Sequence, residues 1–459
     1  MILDELPTRI AQCRSKRPNV LLIVLDTVRS DHLSCYGYPR QTTPNLDAFA
    51  AGSRRYTNVL SPGGWTLPSH SSLFTGLPAS AHGARFTHQF LDERPATIAQ
   101  ELREAGYQTA AWSCNPYYAG PRCGLDRGFA AFSSCGSAVQ MHQELGEWFR
   151  RKYRPDKPFF VFLNYIEAHA PYRLPPERAP KWATKEIFAK WRDIPSETWS
   201  RVIDHMVSGQ DLFSPEEFLE AETLYDEEIA YLDTKLGQLF DFLSRNGFED
   251  KTLAIVTADH GEHFNEHHMT EHSFSLYEPI VRVPLIVRFG DRFPAGEDGC
   301  LVQSHDVFPT ILDVAEVQWK RQSAHHCESL PVGEGARPRL AVAEYLAPCL
   351  GHIDRVVKTY PRIDCSRFLR SLRAVQFGGM KLILPSRGEP ELYSLEKDPL
   401  ELRNLAGERP DVVSDLSARL GAWLTSFEHY SFSPTAQDDV QAQTSEQEFR
   451  AARGLGYVK

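Results

Sequence analysis

The sequence has no long hydrophobic run, no paired-cysteine motif and no surplus of basic charge. Its longest apolar stretches, residues 20–25 and 159–163, are far too short to span a bilayer, so no membrane partner is expected. Residues 1–17 mix Asp4, Glu5, Arg9, Arg14 and Lys16 with no apolar centre, which reads as no secretory signal. The nine cysteines are scattered without a CxxC pair, and an odd number cannot all pair within one chain. Reduced thiols in a cytoplasmic protein are expected. Basic residues number 50 against 60 acidic ones, a net charge of −10, which disfavours binding to a nucleic acid duplex. A small anionic ester is still compatible, because a metal and a few local donors can reverse the field inside a cleft.

What is present is an ordinary globular composition over 459 residues, long enough for a large α/β domain with an appendage. Short apolar segments recur, and each ends at a polar residue. NVLLIVL (19–25) runs into Asp26, FFVFL (159–163) into Asn164, and TLAIV (252–256) into Asp259 and His260. Such continuous β-branched runs suit strands buried on both faces of a parallel sheet. Helical patterns alternate with them. Residues 97–105 open on Thr97 and stop at Gly106, and 222–243 place Tyr225, Ile229, Leu232, Leu236, Leu239 and Leu243 on one stripe. The fold class expected is α/β, layered around a mainly parallel sheet.

A catalytic domain is read over 18–335 and a C-terminal subdomain over 340–430. The latter combines short strands near 340–345, 372–377, 381–384 and 391–393 with a helix over 412–427. Residues 176–217, rich in Trp, Pro and charge, read as an irregular insertion able to cover a cleft. The polar, Gln-rich tail 433–459 reads as an arm and allows a homodimer.

In layered α/β folds ligands sit beyond the carboxyl ends of the strands. Asp26, Asn164, Asp259 and His260 all fall on that edge, although they lie far apart in sequence. In WTLPSHSSLFTG (65–76), Thr66 precedes a helix with Pro68 in its first turn and Gly76 as its stop. Thr66 is either a helix cap or a hydroxyl placed where backbone N–H groups favour an anion. A metal that lowered its pKa would make it a nucleophile. TADHGEHFNEHHMTEH (257–272) gathers five histidines among its carboxylates. Asp259 and His260 follow a strand directly, with Gly261 allowing a sharp turn, and read as metal ligands. His263 and His268 read as solvated loop residues. Asp26 alone could be a turn former, but Asp26, Thr66, Asp259 and His260 together make a four-ligand set.

RPNVLLIVLDTVRSDHLSCYGY, TTPNLDAFAAGS, TLPSHSSLFTG, TADHGEHFNEH, SFSLYEPIVRVPLIV and ELYSLEKDPLELRNLA resemble, in order, the sulfatase branch of the alkaline phosphatase superfamily. The resemblance runs from about residue 18 to about 425. It implies an α/β/α sandwich around a large mainly parallel sheet, with a smaller C-terminal α/β unit. It also implies one divalent metal on Asp26, Asp259 and His260, with Thr66 as nucleophile and fourth ligand. His169, in NYIEAHAPY, matches a histidine near the substrate or leaving group, and His272 falls where relatives contact the transferred group.

Three departures concern sulfate chemistry. Sulfatases resemble C/S-x-P-x-R at the nucleophile, whose Cys or Ser becomes formylglycine. Here Thr66-Leu67-Pro68-Ser69-His70 cannot form that aldehyde, so no formylglycine is expected. The family's Gly-Lys-Trp-His segment is replaced by Ser113-Cys114-Asn115-Pro116. Asp26-Thr27 stands where sulfatases carry paired acids. A Thr followed by Pro-x-His is similar instead to phosphodiesterases of the same superfamily. The expectation is cleavage of a phosphodiester or phosphomonoester through phospho-threonine. A sulfatase without formylglycine and a soluble phospho-group transferase are the alternatives. Mn²⁺ or Zn²⁺ fits the donor set better than Ca²⁺. Arg29, Asn115 and Asn164 could bind substrate oxygens or serve as structural hydrogen-bonders. His70 either orients the nucleophile or packs beneath its loop.

Overall fold

The computed structural model describes residue 3 and residues 15–173, 175, 178–210, 212–332 and 338–431. The tail expected over 433–459 lies outside these.

Among the described residues, ten strands build the first part of the chain: β1 (Asn19–Leu25), β2 (Arg54–Leu60), β3 (Gln108–Ser113), β4 (Ala131–Ser134), β5 (Phe159–Tyr165), β6 (Thr252–Thr257), β7 (His263–Phe264), β8 (Thr270–Glu271), β9 (Leu285–Arg288) and β10 (Gly296–Gln303). Eight of them form one sheet in the order β10-β2-β9-β6-β1-β5-β3-β4. Only β9 runs antiparallel to its neighbours, so the sheet is mainly parallel, as its apolar runs indicate. β1, β5 and β6 are buried along their whole length. Helices flank this sheet. β7 and β8 pair separately as a short hairpin.

Register sets the functional edge. Val24 of β1 pairs with Asn164 of β5 on one side and Thr257 of β6 on the other, and Ser113 of β3 pairs with Asn164. Parallel strands in that register deliver Asp26, Asn115, Asn164, Asp259 and His260 to a single rim. β2 also runs the same way, because two antiparallel steps through β9 restore its direction. The loop after β2, which carries Thr66, therefore exits on that rim too.

A second sheet is antiparallel, in the order β11-β12-β13-β14: β11 (Ala341–Tyr345), β12 (Leu372–Phe377), β13 (Met380–Pro385) and β14 (Glu391–Ser394). The amphipathic helix Pro410–Thr425 packs on β12 and β13, burying Leu416 and Leu420 against Val375, Leu382 and Leu392.

Helix boundaries follow cap chemistry. Thr97 caps Ile98–Glu104 in a reciprocal box with Gln100. The apolar stripe expected from 222 begins earlier, as the 31-residue helix Pro215–Arg245, because Ser214 and Glu217 form a capping box ahead of it. The segment read as irregular, 176–217, holds two helices, Lys185–Arg192 and Ser196–Val207. Trp191, Trp199 and Phe213 pack on one another there, and that aromatic burial holds them. Ser196–Val207 reaches the hairpin, where the Thr270 amide lies 3.1 Å from Met206 Sδ. No helix among the described residues is long and apolar enough to cross a membrane.

Candidate metal centre and nucleophile

Asp26, Asp259 and His260 each offer a ligand atom within 4.8 Å of the other two, and all three are buried. Each carboxylate is held by one oxygen. Asp26 Oδ2 accepts from Asn115 Nδ2 at 2.9 Å and from Asn164 Nδ2 at 3.4 Å. Asp259 Oδ1 accepts from the amides of His260, at 2.9 Å, and Thr27, at 3.2 Å. The other oxygens, Asp26 Oδ1 and Asp259 Oδ2, are buried without a hydrogen-bond partner. Two orphaned carboxylate oxygens facing one imidazole are what a divalent cation satisfies.

The histidine is set in the ligating tautomer. His260 Nδ1–H donates to the Gly261 carbonyl at 2.9 Å, which leaves the Nε2 lone pair aimed at the cluster. That Nε2 lies 3.3 Å from Asp259 Oδ2 and 3.9 Å from Asp26 Oδ1. Electrostatics agree. Burial, and then the charge of Asp26, push Asp259 well above the usual carboxylate range. Burial opposes ionisation of Asp26, yet His169 and the hydrogen bond from Asn115 hold it below its ordinary value. Burial, then the neighbouring His272, keeps His260 neutral. Two facing carboxylates and a neutral imidazole fit a divalent metal.

Thr66 Oγ1 completes the group, 3.3 Å from His260 Nε2. Thr66 is not the helix cap. It is the first residue of Thr66–Thr75, whose cap position is Trp65, and no side chain caps the helix. Gly76 ends it in the left-handed region, at φ 68°. His70, one turn on, donates from Nδ1 to the Thr66 carbonyl at 2.9 Å and sits 3.5 Å from Asp259 Oδ2. Burial holds His70 below its ordinary pKa.

Two further imidazoles lie beside the cluster. The His272 ring centroid is 4.5 Å from that of His260 and 5.1 Å from that of His169. His169 donates from Nδ1 to the Ala170 carbonyl at 2.6 Å. Burial, with His169 close by, pushes His272 down to about 3. Asn115 and Asn164 reach the site as supports of Asp26. The Arg29 guanidinium instead bonds Asp31, Glu266 and the Glu262 carbonyl. Of the aromatic residues, Trp65 stacks on Phe86 at 3.9 Å and meets Tyr118 edge-on, whereas Trp112 packs on Trp148.

Sequence reasoning gave Glu262 no role. Its carboxylate is buried, with Oε1 3.3 Å from His272 Nδ1. Its place in the Asp-His-Gly-Glu run was the available signal. Gly261 is needed for a different reason from the expected sharp turn. A Cβ there would lie 2.0 Å from the Pro279 carbonyl oxygen, so the position demands close approach. Thr27 adopts φ 60°, and that left-handed conformation is held by Tyr225, whose hydroxyl donates to the Thr27 carbonyl at 2.7 Å.

A sequence profile of the sulfatase family matches residues 18–317. The chain is 23% identical to an arylsulfatase of Clostridium perfringens, over 85% of this chain and 90% of that one. It is 24% identical to the multifunctional alkaline phosphatase superfamily protein PehA of Trinickia caryophylli, over 91% and 98%. Among solved structures, the phosphonate monoester hydrolase of Agrobacterium radiobacter superposes with a TM-score of 0.67 at 19% identity, covering 90% of this chain and 96% of that one.

Proposed function

Since the chain belongs to the sulfatase family of the alkaline phosphatase superfamily and is a metal-dependent ester hydrolase, we propose that it cleaves phosphoesters through Thr66. The observation that carries this reading is a threonine hydroxyl, 3.3 Å from His260 Nε2, at the first position of a buried helix. Threonine cannot be converted to formylglycine, so the aldehyde hydrate that expels sulfate is not accessible to it. An unmodified hydroxyl suits phosphoryl transfer, because phospho-threonine can be hydrolysed by water.

In this reading Asp26, Asp259, His260 and Thr66 hold one divalent cation, Mn²⁺ or Zn²⁺ in preference to Ca²⁺. When bound, that ion neutralises the two carboxylates, lowers the pKa of the Thr66 hydroxyl and polarises the ester. Thr66 Oγ adds to phosphorus as the P–O bond to the leaving oxygen breaks on the opposite side. The proton lost by the Thr66 hydroxyl and the one gained by the leaving oxygen balance through solvent. Water then attacks phospho-Thr66, releases the phosphate product and returns the hydroxyl. Asn115 and Asn164 keep Asp26 oriented throughout, and His70 fixes the first turn on which Thr66 sits. We assign His169 to the leaving-group side and His272 to the transferred oxygens. We also propose a cytoplasmic setting, since the eight described cysteines stand as thiols with no disulfide among them.

The sulfatase relatives support a second reading, sulfate-ester cleavage by unmodified threonine. The test is a panel of bis-p-nitrophenyl phosphate, p-nitrophenyl phosphate, a phosphonate monoester and p-nitrophenyl sulfate. Metal-stripped enzyme with Mn²⁺, Zn²⁺ or Ca²⁺ restored is run beside Thr66→Ala. Phosphoester turnover that needs metal and Thr66 is expected. Metal- and Thr66-dependent turnover of the sulfate alone would overturn the proposal.

A further inference from the structure

Lys381, in β13 of the small sheet, is wholly buried. Its Nζ lies 2.8 Å from Glu278 Oε1 and 2.9 Å from Glu401 Oε1. Glu401 Oε2 also accepts the Glu278 amide at 2.6 Å. Burial alone would discharge the ammonium, but the two carboxylates hold its pKa above the ordinary value. A buried charge triad is expensive to assemble and contributes little net stability, so its value is sought in what it positions.

Glu278 opens the turn Glu278–Val281, which bonds the backbone beside the metal centre at two points. The Ile280 carbonyl accepts the Gly261 amide at 2.7 Å, directly after His260. The Pro279 carbonyl fills the space where a Gly261 side chain would sit. The Val281 carbonyl accepts the Ser61 amide at 2.7 Å, and the Ser61 hydroxyl donates to the Asp259 carbonyl. The small sheet also reaches the nucleophile. Glu344 of β11 donates its amide to the Pro62 carbonyl at 2.9 Å and bridges Gly63, three residues before Thr66.

We propose that Lys381 is a positioning residue for the metal centre: through Glu278 it fixes the 278–281 turn, and so the placing of Asp259 and His260 relative to Thr66. The C-terminal sheet then belongs to the metal-binding machinery. The inference rests on reading Asp26, Asp259 and His260 as metal ligands, and it does not depend on which ester is cleaved.

The experiment titrates Mn²⁺ into metal-stripped full-length protein by calorimetry, with thermal melts of the same samples. Lys381→Met is expected to weaken Mn²⁺ binding about tenfold or more, the usual cost of losing an outer support of a metal site. Adding Glu278→Gln and Glu401→Gln to it removes the stranded carboxylates but not the missing Lys381–Glu278 link, so binding is expected to stay weakened. Recovery to wild-type affinity would overturn the proposal, because stranded charge alone would then account for the loss. Arg54→Met breaks the Arg54–Asp298 pair, 2.6 Å long, between β2 and β10. It should lower the melting temperature and leave Mn²⁺ affinity unchanged. If Lys381→Met does not fold, Glu278→Gln takes its place and should weaken binding in the same direction. Wild-type affinity in a folded Lys381→Met or Glu278→Gln would overturn the proposal, as would equal weakening by Arg54→Met. A wild type that binds no divalent cation would instead overturn the metal reading itself.

Discussion

At the scale of single residues, the site depends on which polar atoms are satisfied and which are left over. Asn115 and Asn164 occupy one oxygen of Asp26, while two backbone amides occupy one oxygen of Asp259. The oxygens left unpartnered define the metal position. Gly261 has no room for even one methyl group, because the Pro279 carbonyl oxygen lies 2.0 Å from the Cβ position. Gly261→Ala is therefore expected to cost about 1–3 kcal/mol in urea unfolding, and to abolish metal binding by displacing His260. Wild-type stability in that variant would mean that the turn relaxes freely.

At the scale of elements, the strand-end loops are tied to the loop that follows β6 by charge. Arg29 is nearly buried and pairs with Glu266 and with Asp31, which lies two residues away. Lost hydration works against ionisation of both acids, less so for Asp31, whose side chain is 55% exposed, but Arg29 holds Glu266 well below the usual range and Asp31 down at about 2. The sign follows from the lowered folded pKa values. Stability from these acids is fully present above the unfolded values, 3.8 for Asp and 4.5 for Glu, and is lost as pH falls through the folded ones. Thermal melts should thus be insensitive to this group above about pH 5.5 and fall steeply below about pH 4. Glu266→Gln should flatten that fall. An unchanged acid limb in the variant would remove Glu266 from the account.

At the scale of the whole molecule, the fold brings like charges together and leaves a bound cation to reconcile them. Metal removal should lower stability, since a ligand at a hundred times its Kd contributes about 2.7 kcal/mol. Asp259→Asn should bind no metal, yet melt at or above the metal-stripped wild type, because it removes one of two facing buried carboxylates. A stripped variant less stable than stripped wild type would contradict that charge argument. The metal ligands were legible in the sequence because apolar strands end on them and parallel topology gathers strand ends. The helix that Thr66 opens was legible because Pro68 and Gly76 bracket it. Other features were not, because they exist only as long-range contacts. Lys381 sits in an ordinary strand pattern, and nothing near it in sequence announces Glu278 or Glu401. The helices within 185–207 were masked by proline and charge, and aromatic packing across the insertion holds them.

The most direct test of the central claim is the chemical state of Thr66 during turnover. Metal-loaded enzyme mixed with bis-p-nitrophenyl phosphate is quenched in acid within one turnover, and the peptide bearing Thr66 is weighed by mass spectrometry. The account predicts a phosphoryl ester adduct on Thr66, absent from Thr66→Ala, whose turnover falls by more than about 10³-fold. An unmodified Thr66 in an enzyme that turns over, or a Thr66→Ala variant of near wild-type activity, would contradict it.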